Sequence, residues 1–242
     1  MTELLLQKGF DINYVDDNHG TALQTAIYMD SDKVVKVLLD KRRNPPIEVG
    51  TVGGCYGCAL QVAAFKGSSE YITQLIEYGA KEVYIANSMY GTALQAAART
   101  ESPLVVKQIL NLKPTRIKQL GGTWGTALQA VAKRDYTEST TKVPQLSRGR
   151  VLSQANDVDR KKRKDPPEYL KVASLLLEEG AEVNVTPSGR LQTPINAAAN
   201  SGNYEMLKLL LDNDDAAGLE RKQKYGQALL SSISQTFEPE NR

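Results

Sequence analysis

The chain has 242 residues, 41% of them hydrophobic, with 30 Lys and Arg against 28 Asp and Glu for a formal charge of +2. That balance favours neither nucleic acid nor a membrane surface, and no run of apolar residues is long enough for a transmembrane helix. The start, MTELLLQKGF, lacks the basic head and long apolar centre of a signal peptide. With only two cysteines, Cys55 and Cys58, a reducing cytoplasmic or nuclear setting is expected.

Taken in order, Met1 to Gly9 reads as a helix carrying the apolar triplet Leu4, Leu5, Leu6. GTALQTAI follows at Gly20 to Ile27, and near-copies recur as GCALQVAA at Gly57, GTALQAAA at Gly91 and GTALQAVA at Gly125. Looser copies are QTPINAAA at Gln192 and GQALLSSI at Gly226. The residue after each leading Gly or Gln falls at 21, 58, 92, 126, 193 and 227, in steps of 37, 34, 34, 67 and 34. A period in the low thirties marks a stacked repeat array, a single quasi-one-dimensional unit without an internal domain boundary.

Each copy opens a helix. In Thr-x-x-Gln the Thr hydroxyl accepts from the backbone N–H three residues on, and the Gln side chain reaches back to the Thr N–H, forming a capping box. Thr21 with Gln24, Thr92 with Gln95 and Thr126 with Gln129 fit it fully. Cys58 with Gln61 and Gln227 with Leu230 predict weaker starts, and Thr193 precedes Pro194, which suits the first helical position. A second helical run follows each cap: Val34 to Leu39, Tyr71 to Ile76, Val105 to Leu110, Val172 to Leu177 and Met206 to Leu211. Gly9, Gly79 and Gly180 are the expected helix stops. The dozen or so residues between a stop and the next cap, such as AKEVYIANSMY before Gly91, suit an extended hairpin-like finger.

This order of cap, helix, turn, helix and finger resembles the ankyrin repeat. That family's first helix usually opens Thr-Pro-Leu-His; only Thr193-Pro194 keeps the Thr-Pro here, and Gln or Asn replaces His. Gly-Thr-Ala-Leu-Gln-Ala-Ala is similar to arrays of fungal proteins, often attached to NTPase or other effector domains. The resemblance implies an all-α, ankyrin-type solenoid of stacked helix-turn-helix repeats with β-hairpin-like fingers. The expected array spans residues 1–242, with partial repeats at 1–15 and 226–242. At both ends it looks cut mid-repeat, as in a segment of a longer array or a divergently capped one.

Two segments depart from the period. The first finger, Arg42 to Tyr56, is long and rich in Pro and Gly. The fourth repeat carries an insertion of 33 residues, Tyr136 to Glu168, with eight Lys or Arg against five Asp or Glu; its composition predicts disorder. It should leave from the edge opposite the fingers without breaking the stack. Within it, Arg160, Lys161, Lys162, Arg163 and Lys164 resemble a nuclear-localisation signal, and a solvated basic loop is the plainer alternative.

Catalytic chemistry has little to draw on. The single histidine, His19, has no partner nucleophile suggested by position, and no phosphate-cradling glycine loop or Ser/His/Asp pattern occurs. Cys55 and Cys58 lack the second ligand pair that a tetrahedral zinc requires, so they read as structural. No enzyme activity, cofactor, metal, small-molecule substrate or membrane is expected, and nucleic acid is disfavoured by the charge balance.

Ankyrin-like partners usually engage the finger tips and the exposed side of the first helices. One column in that register is aromatic: Tyr56, Tyr90, Trp124 and Tyr225, with His19 and Leu191 in the same place. It is either a set of binding anchors or a ladder that stiffens the fingers. A second column, at the exit of each first helix, varies: Tyr28-Met29, Phe65-Lys66, Arg99-Thr100, Lys133-Arg134 and Asn200-Ser201. Its basic middle, Lys66, Arg99, Lys133 and Arg134, points to a protein partner or extended peptide with an acidic stretch. The expected function is therefore a non-enzymatic protein–protein interaction scaffold that binds along its concave face. The alternatives are a recognition segment of a larger multidomain effector or NTPase protein, or a nucleic-acid-associated nuclear protein using the basic insertion.

Overall fold

A computed structural model describes residues 1–42, 45–55, 57–81, 91–112, 117, 120–121, 125–133, 166–185 and 193–214. Its helices form two layers. The first layer holds the repeated ALQ motif: α2 (Ala22–Tyr28), α4 (Ala59–Lys66), α6 (Ala93–Ala98), α8 (Ala127–Ala132) and α10 (Pro194–Asn200). The second holds α1 (Thr2–Gln7), α3 (Asp32–Leu38), α5 (Ser69–Glu77), α7 (Pro103–Leu110), α9 (Glu168–Glu178) and α11 (Tyr204–Asp212). Each first helix packs on the first helices before and after it and on its own second helix; α8 does so with α6, α9 and α10.

The first-layer helices are six to eight residues long, too short to persist alone in water. They persist because both ends and both flanks are satisfied. Thr21, Thr92 and Thr126 each accept from the N–H of the Gln three residues on at 3.2 Å. Each in turn donates its own N–H to that Gln's Oε1, at 2.8, 2.6 and 2.7 Å. Cys58, expected to be weaker, also closes the box, its thiol standing where the Thr hydroxyl stands elsewhere and its N–H 2.7 Å from Gln61 Oε1. Leu23, Leu60, Leu94, Leu128 and Ile195 stack as a fully buried column, each contributing about 1.5–3 kcal/mol.

The second helices are capped by a different chemistry. Ser68, Ser102 and Asn203 accept from the N–H groups of Tyr71, Val105 and Met206 at 3.3, 3.4 and 3.1 Å. Side chains also tie this layer from repeat to repeat. Tyr71 donates its hydroxyl to Asp32, Gln108 Nε2 donates to Thr73 Oγ1 at 2.9 Å, and Tyr169 donates to Asn203 Oδ1 at 3.2 Å. Burial and the Asp32 carboxylate raise the Tyr71 phenol above its ordinary pKa, so it stays a donor.

The fingers are extended as expected where they are described. β1 (Val15–Asp16) pairs antiparallel with β2 (Gly20–Thr21), with Val15 opposite Thr21 and Asp16 opposite Gly20. Single bridges join Gly53 to Gly57 and Gly121 to Gly125. The finger before Gly91 lies outside the described residues. Gly9, Gly79 and Gly180 hold left-handed φ angles of 82°, 82° and 86°, as their role of helix stop requires.

Two local departures have physical causes. No residue of α1 is buried, and Leu4 and Leu5 are 54% and 42% exposed, because the main packing that α1 has among the described elements is a small contact with α3. The fifth repeat has Asn196 where the others have Gln. Thr193 still accepts from the Asn196 N–H at 3.2 Å. The side chain is one methylene shorter, however, and its buried Oδ1 has no hydrogen-bond partner among the described residues. Asn196→Gln should therefore complete the capping box and raise stability by about 1 kcal/mol, read as a higher urea midpoint. An unchanged or lower midpoint would show that length is not what the site lacks.

Candidate protein-binding surface

The first helices expose little of their bodies. Every residue of α6 and α8 is buried, since their side chains are mostly alanines covered by adjacent repeats. The surface thus narrows to the helix exits, where the varying column sits. Tyr28, Phe65, Lys66 and Arg99 are half-buried there, Lys133 is exposed, and Asn200 is half-buried. Met29 stands out at 66% exposed. Cations at these positions also lie at helix C-termini, where the carbonyl ends favour positive charge.

The structure brings two of these positions, Tyr28 and Lys66, into one cluster with Asp30. Lys66 at the end of α4 reaches back to the preceding repeat, with its Nζ 2.6 Å from Asp30 Oδ2. The same ammonium lies 5.7 Å from the centre of the Tyr28 ring, within range of a cation–π contact. Sequence reasoning took Lys66 as one more member of a basic strip and missed Asp30. The signal was present, however: an acid at the inter-helix turn of one repeat faces a base one position earlier in the next.

The aromatic column is seen only at its first member. His19 is exposed at the finger tip, its Nδ1 2.9 Å from Asp16 Oδ1. Asp16 also accepts from the backbone N–H groups of His19 and Asn18, at 2.8 and 3.0 Å. These bonds, the His19 N–H foremost, hold its carboxyl below the usual pKa. Tyr56, Tyr90, Trp124, Leu191 and Tyr225 lie outside the described residues, as do Arg134 and the basic cluster Arg160 to Lys164. Of the insertion assigned to 136–168, Glu168 is the first residue of α9 and accepts from Lys171 at 2.7 Å.

Cys58 is buried at the N-cap of α4, while Cys55 is exposed, its thiol 3.6 Å from the Asn18 carbonyl. Among the described residues, no group of three or more His, Cys, Asp and Glu side chains is placed to hold a metal ion. No described helix is long and apolar enough to cross a membrane.

The stacked helix pairs find their counterparts among solved structures. The ankyrin repeat domain of human ASB11 superposes with a TM-score of 0.59 at 20% identity, over 95% of this chain and 90% of that one. The ankyrin repeat protein EF0377 gives 0.61 at 19% identity, over 88% and 90%. The fold is that of an ankyrin-repeat array. The family described as ankyrin repeats (many copies) matches residues 1–39 and 167–211, both ends of the described array. A third similar structure is a predatory endopeptidase from Bdellovibrio bacteriovorus in complex with an immunity protein, with a TM-score of 0.59 at 21% identity, over 88% of this chain and 91% of the matched one. No curated protein matches the sequence. Within the array, the repeated Leu and Gln columns are its frame, and the helix exits are where one repeat differs from the next.

Proposed function

We propose that this ankyrin array is a non-catalytic scaffold that binds an extended protein segment along the helix-exit strip. The observation that carries this reading is the contrast between two columns on the same helices. Gln24, Gln61, Gln95 and Gln129 are identical and buried, whereas Tyr28, Phe65, Arg99 and Lys133, a turn further on, differ in every repeat and reach the surface. Packing explains the first column. Variation of charge and shape on a rigid frame is what selective recognition needs. The endopeptidase structure, solved with an immunity protein, supports protein binding for arrays of this shape.

The strip runs from apolar Tyr28 and Phe65 to cationic Arg99 and Lys133, so the partner segment is acidic where it crosses the third and fourth repeats. Affinity capture from a cell lysate tests this, comparing wild type with an Arg99→Glu, Lys133→Glu, Arg134→Glu variant shown by circular dichroism to be folded. A defined partner should be captured by the wild type and lost by the variant, because like charge set against the acidic segment costs several kcal/mol. Capture of the same set by both would move the binding face away from the strip.

A further inference from the structure

The residue that holds Lys66 sits in a strained turn. Asp30 has a left-handed backbone, φ 51°, at the turn between α2 and α3. The same turn position carries Gly67 and Gly202, at φ 69° and 64°, and Glu101, at 56°; glycine adopts this conformation without the steric penalty that a β-carbon brings, and Asp30 and Glu101 both bear it. A strained non-glycine residue points to a function for its side chain. What the side chain does here is visible: its carboxylate lies 2.6 Å from Lys66 Nζ.

The two partners differ in exposure. The Lys66 side chain is only 15% exposed and that of Asp30 is 59% exposed. A lysine side chain so largely covered has little freedom to swing its ammonium to another anion, whereas the more exposed Asp30 side chain can turn out into solvent. The cation is therefore fixed and its anion is exchangeable. Exposed Met29 adjoins Asp30 in the chain, and the half-buried Tyr28 ring lies beneath the ammonium, so apolar surface borders the carboxylate position.

We propose that Asp30 occupies, in the free array, the place of a partner's carboxylate on Lys66. The partner segment accordingly carries an acidic residue next to a large apolar one, the acid displacing Asp30 and the apolar side chain covering Met29. Asp30 acts as an internal competitor that lowers affinity and raises selectivity, since only a segment supplying both groups repays its displacement. This inference rests on the helix-exit strip being the binding face, and it places one contact on that strip.

The test uses a phage-displayed library of random dodecapeptides, panned in parallel on wild type, Asp30→Asn and Asp30→Gly, each shown to be folded. Asp30→Gly removes the carboxylate and the backbone strain together, so reduced folding of the Asn variant cannot hide the result. Recovered peptides are synthesised with a fluorescent label and titrated by anisotropy. Peptides selected on the Asp30 variants should carry Asp or Glu beside a large apolar residue. They should bind those variants about fivefold more tightly than wild type, the effect of removing one partly screened competing charge. Lys66→Met should abolish the preference over the same peptides bearing Gln for Glu. Equal affinity for wild type and the Asp30 variants, or an acid preference that survives Lys66→Met, would overturn the proposal. Peptides indifferent to Asp30 yet lost on Arg99→Glu would overturn it while leaving the strip as the binding face. No enrichment on any form would overturn both.

Discussion

Gln95→Leu should destabilise the array by about 2–4 kcal/mol, although leucine keeps the bulk of the side chain and the site is buried. Gln95 makes two bonds of different range. Its Oε1 accepts from Thr92 N–H at 2.6 Å, closing the capping box of its own helix, and its Nε2 donates to the carbonyl of Gly125 at the start of the next repeat. Gln61 repeats the arrangement onto Gly91, and Gln24 onto Gly57 at 2.7 Å with a further bond to Thr51 at 3.0 Å. Leucine leaves the buried Thr92 N–H unpaired, which is the lost half of the cap and costs about 1–3 kcal/mol, and it removes one of two donors from the Gly125 carbonyl, which keeps the Gly121 N–H at 3.3 Å, for about 1 kcal/mol more. Because a solenoid's stability is carried by nearest-neighbour interfaces, the loss falls at one boundary. Urea denaturation should show a lower midpoint. Hydrogen exchange should show α8 and α9 opening before α2 to α5. A loss below about 1 kcal/mol would mean that the backbone groups find other partners.

The near half of that residue's role is legible in the sequence, and the far half is not. Thr-x-x-Gln is a local geometry fixed by four consecutive residues, so the caps, the helices and their order can be read directly. The bond to the next repeat spans 30 residues, and only the stacked arrangement brings Gly125 to the amide. The same limit applies to the site. Residue types and register located the helix exits, but six alanine-rich residues give no sign of which face is covered, and α6 and α8 proved buried throughout. Lys66 was read within its own repeat, whereas its chemistry is set by Asp30, 36 positions earlier. The exposed leucines of α1 teach the converse: a helical apolar triplet predicts a helix, but its burial depends on what packs against it.

Gly91→Ala should cost about 3 kcal/mol or more, for two reasons that a second variant separates. Gly91 has a φ of 68°, which an L-residue adopts at a cost of about 1–2 kcal/mol. A β-carbon there would also land on the Gln95 side-chain carbonyl and come within 3.1 Å of the Gly121 carbonyl carbon in the next finger. The Gln95 amide would have to move, breaking its bond to Thr92 N–H and pulling its Nε2 away from Gly125. The finger backbone cannot yield as a flexible side chain would, so overpacking adds about 1–3 kcal/mol. Gly79 provides the comparison: its φ is 82°, and nothing lies within 4 Å of an added β-carbon. Gly79→Ala should therefore show the conformational cost alone, about 1–2 kcal/mol, and the difference between the two urea midpoints isolates the collision with Gln95. Equal losses would mean that the capping glutamine tolerates displacement and that glycine is needed at Gly91 only for its backbone angle. A larger loss at Gly91, with hydrogen-exchange protection reduced at the Thr92 amide, would show that the leading glycine of each repeat is small so that the glutamine four residues on can reach both of its partners.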